Sequence, residues 1–348
     1  MQHAGHRRFF AAAIASMLIA SGLPLAAQNG PGETRGDYGT ARPQALEVTD
    51  EVGRHVKIPP VVKRIVTLAP NLTETVYALG LEDRLVADTD FCDTPPAAKL
   101  KAHVGNPQNP SLEAIVALEP DLVLATTSIN RVETADTLKQ LGYAVYTTDP
   151  QTVRGMLNSV EHMAEAMGEK KRGTDLVARM QDRLDALHGR VADRPMVHVL
   201  FVVWDQPLIT IGQNTFIADA LRWAGAESIV LSKQSWPQLS LEEVVRLQPD
   251  YIVFADHTGT PAAELADLRA RPAWRELDAV QEGHVVDLSE EAIRPSPGLI
   301  DAIEQLARSV HPEAFSKNKG MPASESRDPL FAEAQRAVGA KECDECAR

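Results

Sequence analysis

Two glutamates, Glu113 and Glu242, are the first candidates for chemistry, because each holds the same place in a phrase that occurs twice. Ser111-Leu-Glu-Ala-Ile-Val-Ala-Leu-Glu-Pro-Asp-Leu-Val-Leu-Ala125 returns as Ser240-Leu-Glu-Glu-Val-Val-Arg-Leu-Gln-Pro-Asp-Tyr-Ile-Val-Phe254. In each copy a Ser N-cap opens a short amphipathic helix, a Pro-Asp turn ends it, and a buried strand follows. A carboxylate two residues after the cap favours the helix dipole by about 0.3–1 kcal/mol, which is one reason for a glutamate there. Glu243 has a local reason of its own, since Ser240-x-x-Glu243 spells a capping box. The other chemistry open to Glu113 and Glu242 is recognition: two exposed carboxylates, one per half of the chain, form a bivalent surface for arginines of a partner.

Catalytic constellations are missing. The sequence has no G-x-S-x-G elbow, no phosphate-binding G-x-x-x-x-G-K-[ST] loop, no H-E-x-x-H and no G-x-G-x-x-G. The ten histidines are scattered rather than clustered; His198, inside a β-run, reads as a satisfied core residue rather than a ligand. Of three cysteines, Cys343 and Cys346 form a C-x-x-C in an acidic tail without a second ligand pair, which fits a local disulfide better than zinc. Cys92 is then a free, partly buried thiol.

The elements that must position these residues alternate strand and helix. Leu46 to Ile58 reads as a hairpin, Arg64 to Leu68 as a buried strand, and Ala69-Pro-Asn-Leu-Thr as a loop before a helix from Glu74 to Leu79. Strands are expected at Leu85–Asp88, Asp121–Thr126 and Ala144–Thr147, with a helix from Val132 to Leu141. Two apolar stripes, Val153 to Met167 and Leu176 to Val191, predict a long helical connector that Gly168 and Gly173 break or cap. The theme then repeats: a strand from Val197 to Val203, a helix from Thr215 to Trp223, the second phrase, a short helix from Ala262 to Ala270, a strand from Gly283 to Leu288, and a closing helix from Pro297 to Val310. This predicts an α/β protein of two similar lobes with mostly parallel sheets, joined by a long helix, with a cleft between them. The lobes span 46–151 and 194–315, and the connector 152–193.

The chain of 348 residues is 44% hydrophobic and 24% charged, with a formal charge of −13, which argues against wrapping nucleic acid. Residues 1–27 read as a secretory signal: Arg7 and Arg8 precede a short apolar run, and Ala26-Ala27 offers a cleavage site. No Cys follows that run, so lipid attachment there is not expected. Residues 28–45 and 316–348 read as disordered ends. The mature product is expected to be exported, soluble and monomeric.

From about Val48 to Phe315 the chain resembles the periplasmic substrate-binding proteins of metal-chelate ABC importers, which take cobalamin, haem and ferric siderophores. The resemblance rests on Val48-Thr-Asp-Glu-Val-Gly-Arg54, Arg64-Ile-Val-Thr-Leu-Ala-Pro-Asn-Leu-Thr-Glu74, Pro95-Pro96, the two Ser-Leu-Glu helices and Arg294-Pro-Ser-Pro297. It implies a ligand in the cleft, no enzymatic activity, no required cofactor, and docking of Glu113 and Glu242 on arginines of an inner-membrane ABC permease dimer. Within the group the chain is most similar to the cobalamin-binding branch. That similarity implies ligand contacts at Pro70 and Asn71 in the first loop, at Phe91, at Trp236 in Trp236-Pro-Gln-Leu-Ser, and at Arg294 on the second rim. Trp204 is a further candidate wall by the same logic, because large flat chelates bury apolar area against aromatics. Arg294 has a structural alternative, pairing with Glu290 or Glu291.

Pro107 and Thr126 stand where that branch has further tryptophans, so the cleft is expected to be less aromatic, and Pro107-Gln-Asn-Pro110 is expected to offer polar side chains instead. A ferric-siderophore or haem receptor of the same group is the nearest alternative, although a haem receptor should offer an axial His or Tyr. An enzyme on the same two-lobed fold and an envelope adaptor are alternatives of other classes.

Overall fold

The structure, a computed structural model, describes residues 45–255 and 261–316. The expected signal and the chain ends, with Cys343 and Cys346, lie outside the described residues. Strands β1 (Leu46–Thr49) and β2 (His55–Ile58) form the predicted antiparallel hairpin. Its turn is held by Asp50, whose Oδ1 accepts the backbone N–H groups of Val52 and Arg54.

The N-terminal lobe contains β3 (Ile65–Thr67), helix α1 (Pro70–Ala78), β4 (Leu85–Asp88), β5 (Ala102–His103) and a two-residue ribbon of β6 (Gly105–Asn106) and β7 (Asn109–Pro110). Helix α2 (Leu112–Ala117), β8 (Leu122–Thr126), α3 (Val132–Gln140) and β9 (Val145–Thr148) complete it. Its sheet runs β5-β4-β3-β8-β9, all parallel.

Two helices follow, α4 (Val153–Ala166) and α5 (Lys170–Val191). The C-terminal lobe has β10 (Val197–Trp204), β11 (Ile209–Thr210), α6 (Phe216–Trp223), β12 (Ala226–Ser228), α7 (Leu241–Leu247) and β13 (Tyr251–Ala255). It ends with α8 (Pro261–Ala270), α9 (Asp278–Glu282), β14 (Val285–Leu288), α10 (Leu299–Val310) and α11 (Pro312–Phe315). Its parallel strands lie in the order β12-β10-β13-β14. Counted within each lobe, both sheets therefore show the order 2-1-3-4 in their four main parallel strands.

The repeated phrase sits at the same point of both lobes, the helix and strand that form the third position. Ser111 Oγ accepts from Ala114 N–H at 3.1 Å, and Ser240 Oγ from Glu243 N–H at 3.2 Å. Glu119 and Gln248, the residues before each Pro-Asp, both take the left-handed conformation, with φ of 45° and 44°. Asp121 then accepts the N–H groups of Lys63 and Arg64 at 2.8 and 2.9 Å, and Asp250 accepts that of His198 at 2.8 Å. Each aspartate thus pins the start of the first strand of its own lobe, which accounts for its presence in both copies. His198 is half exposed at that position, 3.2 Å from Glu227 and 3.3 Å from Asp250. The core placement expected for it is wrong: the strand begins there, and its first side chains meet water.

Several boundaries also differ from the pattern. The connector is two helices packed on one another, broken at Gly168 (φ +76°). Gly173 neither breaks nor caps it. It lies inside α5, where a Cβ would come 2.5 Å from Ala164 Cβ, so the glycine lets the helices approach. Helix α1 begins at Pro70 rather than Glu74, because proline suits the first helical position, where its missing N–H is not needed. Helix α10 begins at Leu299 rather than Pro297, after the turn at Gly298. One continuous apolar core runs from the N-terminal lobe through Met156, Met163, Met180 and Leu184 into the C-terminal lobe. The helical pair is therefore part of the core of both lobes, which suits a rigid connection.

Candidate functional site

In an open parallel sheet, ligands bind beyond the carboxyl ends of the strands, where the connecting loops gather. The candidate residues all leave their sheets at that end: Pro70 and Asn71 after β3, Phe91 after β4, Trp204 at the end of β10, Trp236 after β12 and Arg294 after β14. Helices α2 and α7 reverse tightly into β8 and β13, so their N-termini, with Glu113 and Glu242, also lie at this end.

Three large aromatics are exposed there, Phe91, Trp204 and Trp236, each more than half accessible to water. Phe91 is carried by a loop anchored on its buried neighbour Cys92. The Cys92 thiol receives Thr73 Oγ1 at 3.2 Å and Thr89 N–H at 3.4 Å, and burial pushes its pKa up, so it is a structural thiol. Trp204 is fixed by its indole N–H, which donates to the Gln206 carbonyl at 2.9 Å. The next residue, Asp205, accepts both arms of the Arg271 guanidinium at 2.8 and 2.9 Å.

Trp236 sits on a short antiparallel ladder that the sequence pattern does not reveal. Leu239 N–H bonds Leu208 C=O, Thr210 N–H bonds Pro237 C=O and Gly212 N–H bonds Ser235 C=O, each at 3.0 Å, and Ile209 bridges Gln238. Leu208, Thr210 and Pro237 are buried, so the alternate residues, Trp236 and Gln238, face outward. On the other side of the same strand, Ile209 pairs with Trp204. Trp204 and Trp236 thus share one face of a three-stranded ribbon, with Cα positions about 11–12 Å apart from ordinary strand spacings. A flat ring system of that breadth can touch both.

Gly212 is the residue that makes this possible. A Cβ there would lie 1.8 Å from the carbonyl oxygen of Gln234, inside the loop that carries Trp236. Gly212→Ala is expected to displace that loop, to destabilise by about 1–3 kcal/mol as overpacking does, and to weaken ligand binding. Gly189→Ala, where the added methyl meets open space, serves as the control in thermal unfolding and titration.

Pro70 and Asn71 are not in a loop. They form the buried first turn of α1, with Asn71 only 6% exposed, so they border the site rather than line an open edge. Thr126 is fully buried, and the Pro107 carbonyl accepts from Asn130, while Gln108 and Asn109 are exposed as expected of polar rim groups. Glu113 and Glu242 are both exposed, and among the described residues neither has an ion-pair partner. Ser111 Oγ lies 3.3 Å from Glu113 Oε2.

Arg294 departs most from expectation. Its guanidinium bonds Glu290, the pairing foreseen as an alternative, but also Glu74 of the opposite lobe at 3.0 Å. Glu74 is completely buried in α1. Burial pushes its pKa up to about 7, against the pull of the Ser296 hydroxyl and of Arg294, with Glu291 adding to the rise. No sequence signal marks Glu74, because its burial in α1 comes from residues packed around that helix from elsewhere in the chain. A raised carboxyl pKa means that the folded state holds the proton more tightly than the unfolded chain. The resulting stabilisation is complete below about pH 4.5 and is lost as the pH rises towards 7. Relative to the wild type, Glu74→Gln should therefore gain up to about 3 kcal/mol between pH 4.5 and 8 in urea unfolding. A difference that stays flat with pH would show that Glu74 titrates as an ordinary carboxyl.

Comparison with known proteins agrees with the two-lobed α/β fold. The sequence pattern of the periplasmic binding protein family matches residues 65–292. An uncharacterised ABC transporter substrate-binding lipoprotein of Bacillus subtilis, YvrC, is 31% identical over 317 residues, 88% of this chain and 99% of its own. The crystal structure of the periplasmic vitamin B12-binding protein BtuF of Vibrio cholerae superposes with a TM-score of 0.64 at 29% identity, covering 74% of this chain and 99% of that one. The periplasmic haem-binding protein BhuT, solved with two haems, has a TM-score of 0.64 at 26% identity, with 73% and 99% covered.

Proposed function

Because the chain belongs to the periplasmic binding protein family and is the substrate-binding component of an ABC importer, a transport protein rather than an enzyme, we propose that its ligand is cobalamin or a related corrinoid. The observation that carries this reading is the shared outward face of Trp204 and Trp236, a platform broad enough for one side of a macrocycle. A corrin presents apolar faces to aromatics and a rim of amides to groups such as Gln108, Asn109 and Gln238, all exposed at this end of the lobes. Phe91, on the opposite lobe, supplies a third aromatic contact, with Pro70 and Asn71 at its border. The similarity to vitamin B12-binding proteins supports the same ligand.

Glu113 and Glu242 are the two docking points for arginines of the permease dimer, and their separation onto different lobes lets both engage at once. The protein acts as a monomer in the periplasm, released there by its signal segment. Among the described residues, no helix is long and apolar enough to cross a membrane.

The test is calorimetric titration of the purified chain with cyanocobalamin, haemin and a ferric hydroxamate. Saturable one-to-one binding of cyanocobalamin alone is the expected result. Binding of haemin or the hydroxamate instead would keep the importer assignment and replace the ligand.

A further inference from the structure

The Arg294 cluster says what kind of rim the ligand carries, provided that the cleft takes a corrinoid as proposed above. A cationic side chain at the edge of a chelate site ordinarily recognises carboxylates on the ligand. Here the Arg294 side chain is 17% exposed and its guanidinium is already bonded by two carboxylates, Glu74 at 3.0 Å and Glu290, with the Glu291 carboxylate also near Glu74. Glu74 is fully buried, so exchanging it for a carboxylate of the ligand would leave its carboxyl unpaired away from water. Other cations at this end of the lobes are committed as well. Lys99 lies 3.3 Å from Asp93, and Arg271 is held by Asp205. Arg131, at the start of α3, and Lys233, on the Trp236 loop, are exposed to water, where their fields are weak.

We infer that Arg294 is the charge filter of the site: neutralised between Glu74 and Glu290, it accepts a chelate whose side arms are neutral amides and discriminates against the same ring bearing carboxylates. Its remaining guanidinium edge donates to an amide oxygen without demanding an anion, while the surrounding carboxylates repel one. Glu74 and Glu290 are positioning residues in this scheme, acting on the ligand through Arg294.

The experiment compares two ligands that differ in one group. The full chain is titrated at pH 8 with cyanocobalamin and with its monocarboxylates, in which one peripheral amide has been hydrolysed to an acid. The wild type should bind the acids at least about tenfold more weakly, as a like-charge contact of modest size requires. Glu290→Gln, at a half-exposed position that should tolerate the change, leaves Arg294 with one carboxylate and should narrow that gap by threefold or more, roughly half the logarithm of a tenfold effect. A general loss of structure would lower both affinities together and leave their ratio unchanged, so the ratio is the readout. Equal affinities in the wild type, or a gap unmoved by Glu290→Gln, would overturn the filter while leaving the corrinoid reading standing. Failure of the wild type to bind cyanocobalamin at all would remove the corrinoid reading itself, and the filter with it.

Discussion

Trp204→Ala combined with Trp236→Ala should weaken cyanocobalamin binding by about 3–5 kcal/mol, roughly twice the loss from one large aromatic contact. The two side chains project from one ribbon and are set by different anchors. Trp204 depends on its own N–H bond to Gln206 and on the Asp205–Arg271 pair, and Trp236 on the ladder to residues 208–212. Each single variant should cost about 1–3 kcal/mol. Because both are exposed, neither change should lower stability much, so weak binding with an unchanged melting temperature is the diagnostic combination. If the double variant binds as the wild type does, the ligand does not use this face, and the platform must be reassigned.

Glu113→Ala with Glu242→Ala should leave ligand affinity intact and nearly abolish delivery to the transporter. Removing one partner of an interfacial carboxylate–guanidinium pair typically costs about 2–5 kcal/mol, so loss at both ends should lower complex formation by several orders of magnitude. Each single variant should retain partial uptake, because the second contact still tethers the complex. The helices themselves should survive, since Ser111 and Ser240 cap them independently of the glutamates. Unchanged uptake by the double variant, measured with reconstituted permease, would refute the docking role. Reduced ligand affinity would place these residues in the cleft instead.

Much of this molecule is written in local patterns. The two-lobe architecture was legible because the repeated phrase carries its own cap, turn and strand, and each part forms from contacts within a few residues. Glu113 and Glu242 were visible for the same reason, as a cap position fixes a side chain at a helix start. Exposure of Trp236 could be expected from its polar neighbours in a strand-to-helix loop. The apolar stripes of α4 and α5 announced two buried faces, although only the φ of Gly168 showed where the chain breaks and only the proximity of Ala164 explained Gly173.

The remaining features depend on residues far apart in the chain. Trp204 and Trp236 are placed on one face by a ladder register that involves three segments, and register is a property of pairing rather than of any one strand. Gly212 matters only because the backbone of residues 232–234 crosses over it. Glu74 and Arg294 lie 220 residues apart, and their pairing across the lobes gives this arginine a carboxylate partner that no local pattern announces. The main strands and helices, their order and the aromatics and acids at their ends follow from local patterns, since short-range hydrogen bonding and hydrophobic periodicity act within single elements, whereas the short strands β5, β6, β7, β11 and β12 do not. Which of those side chains meet is set by long-range packing, because burial and charge pairing come from neighbours that the chain brings in from elsewhere.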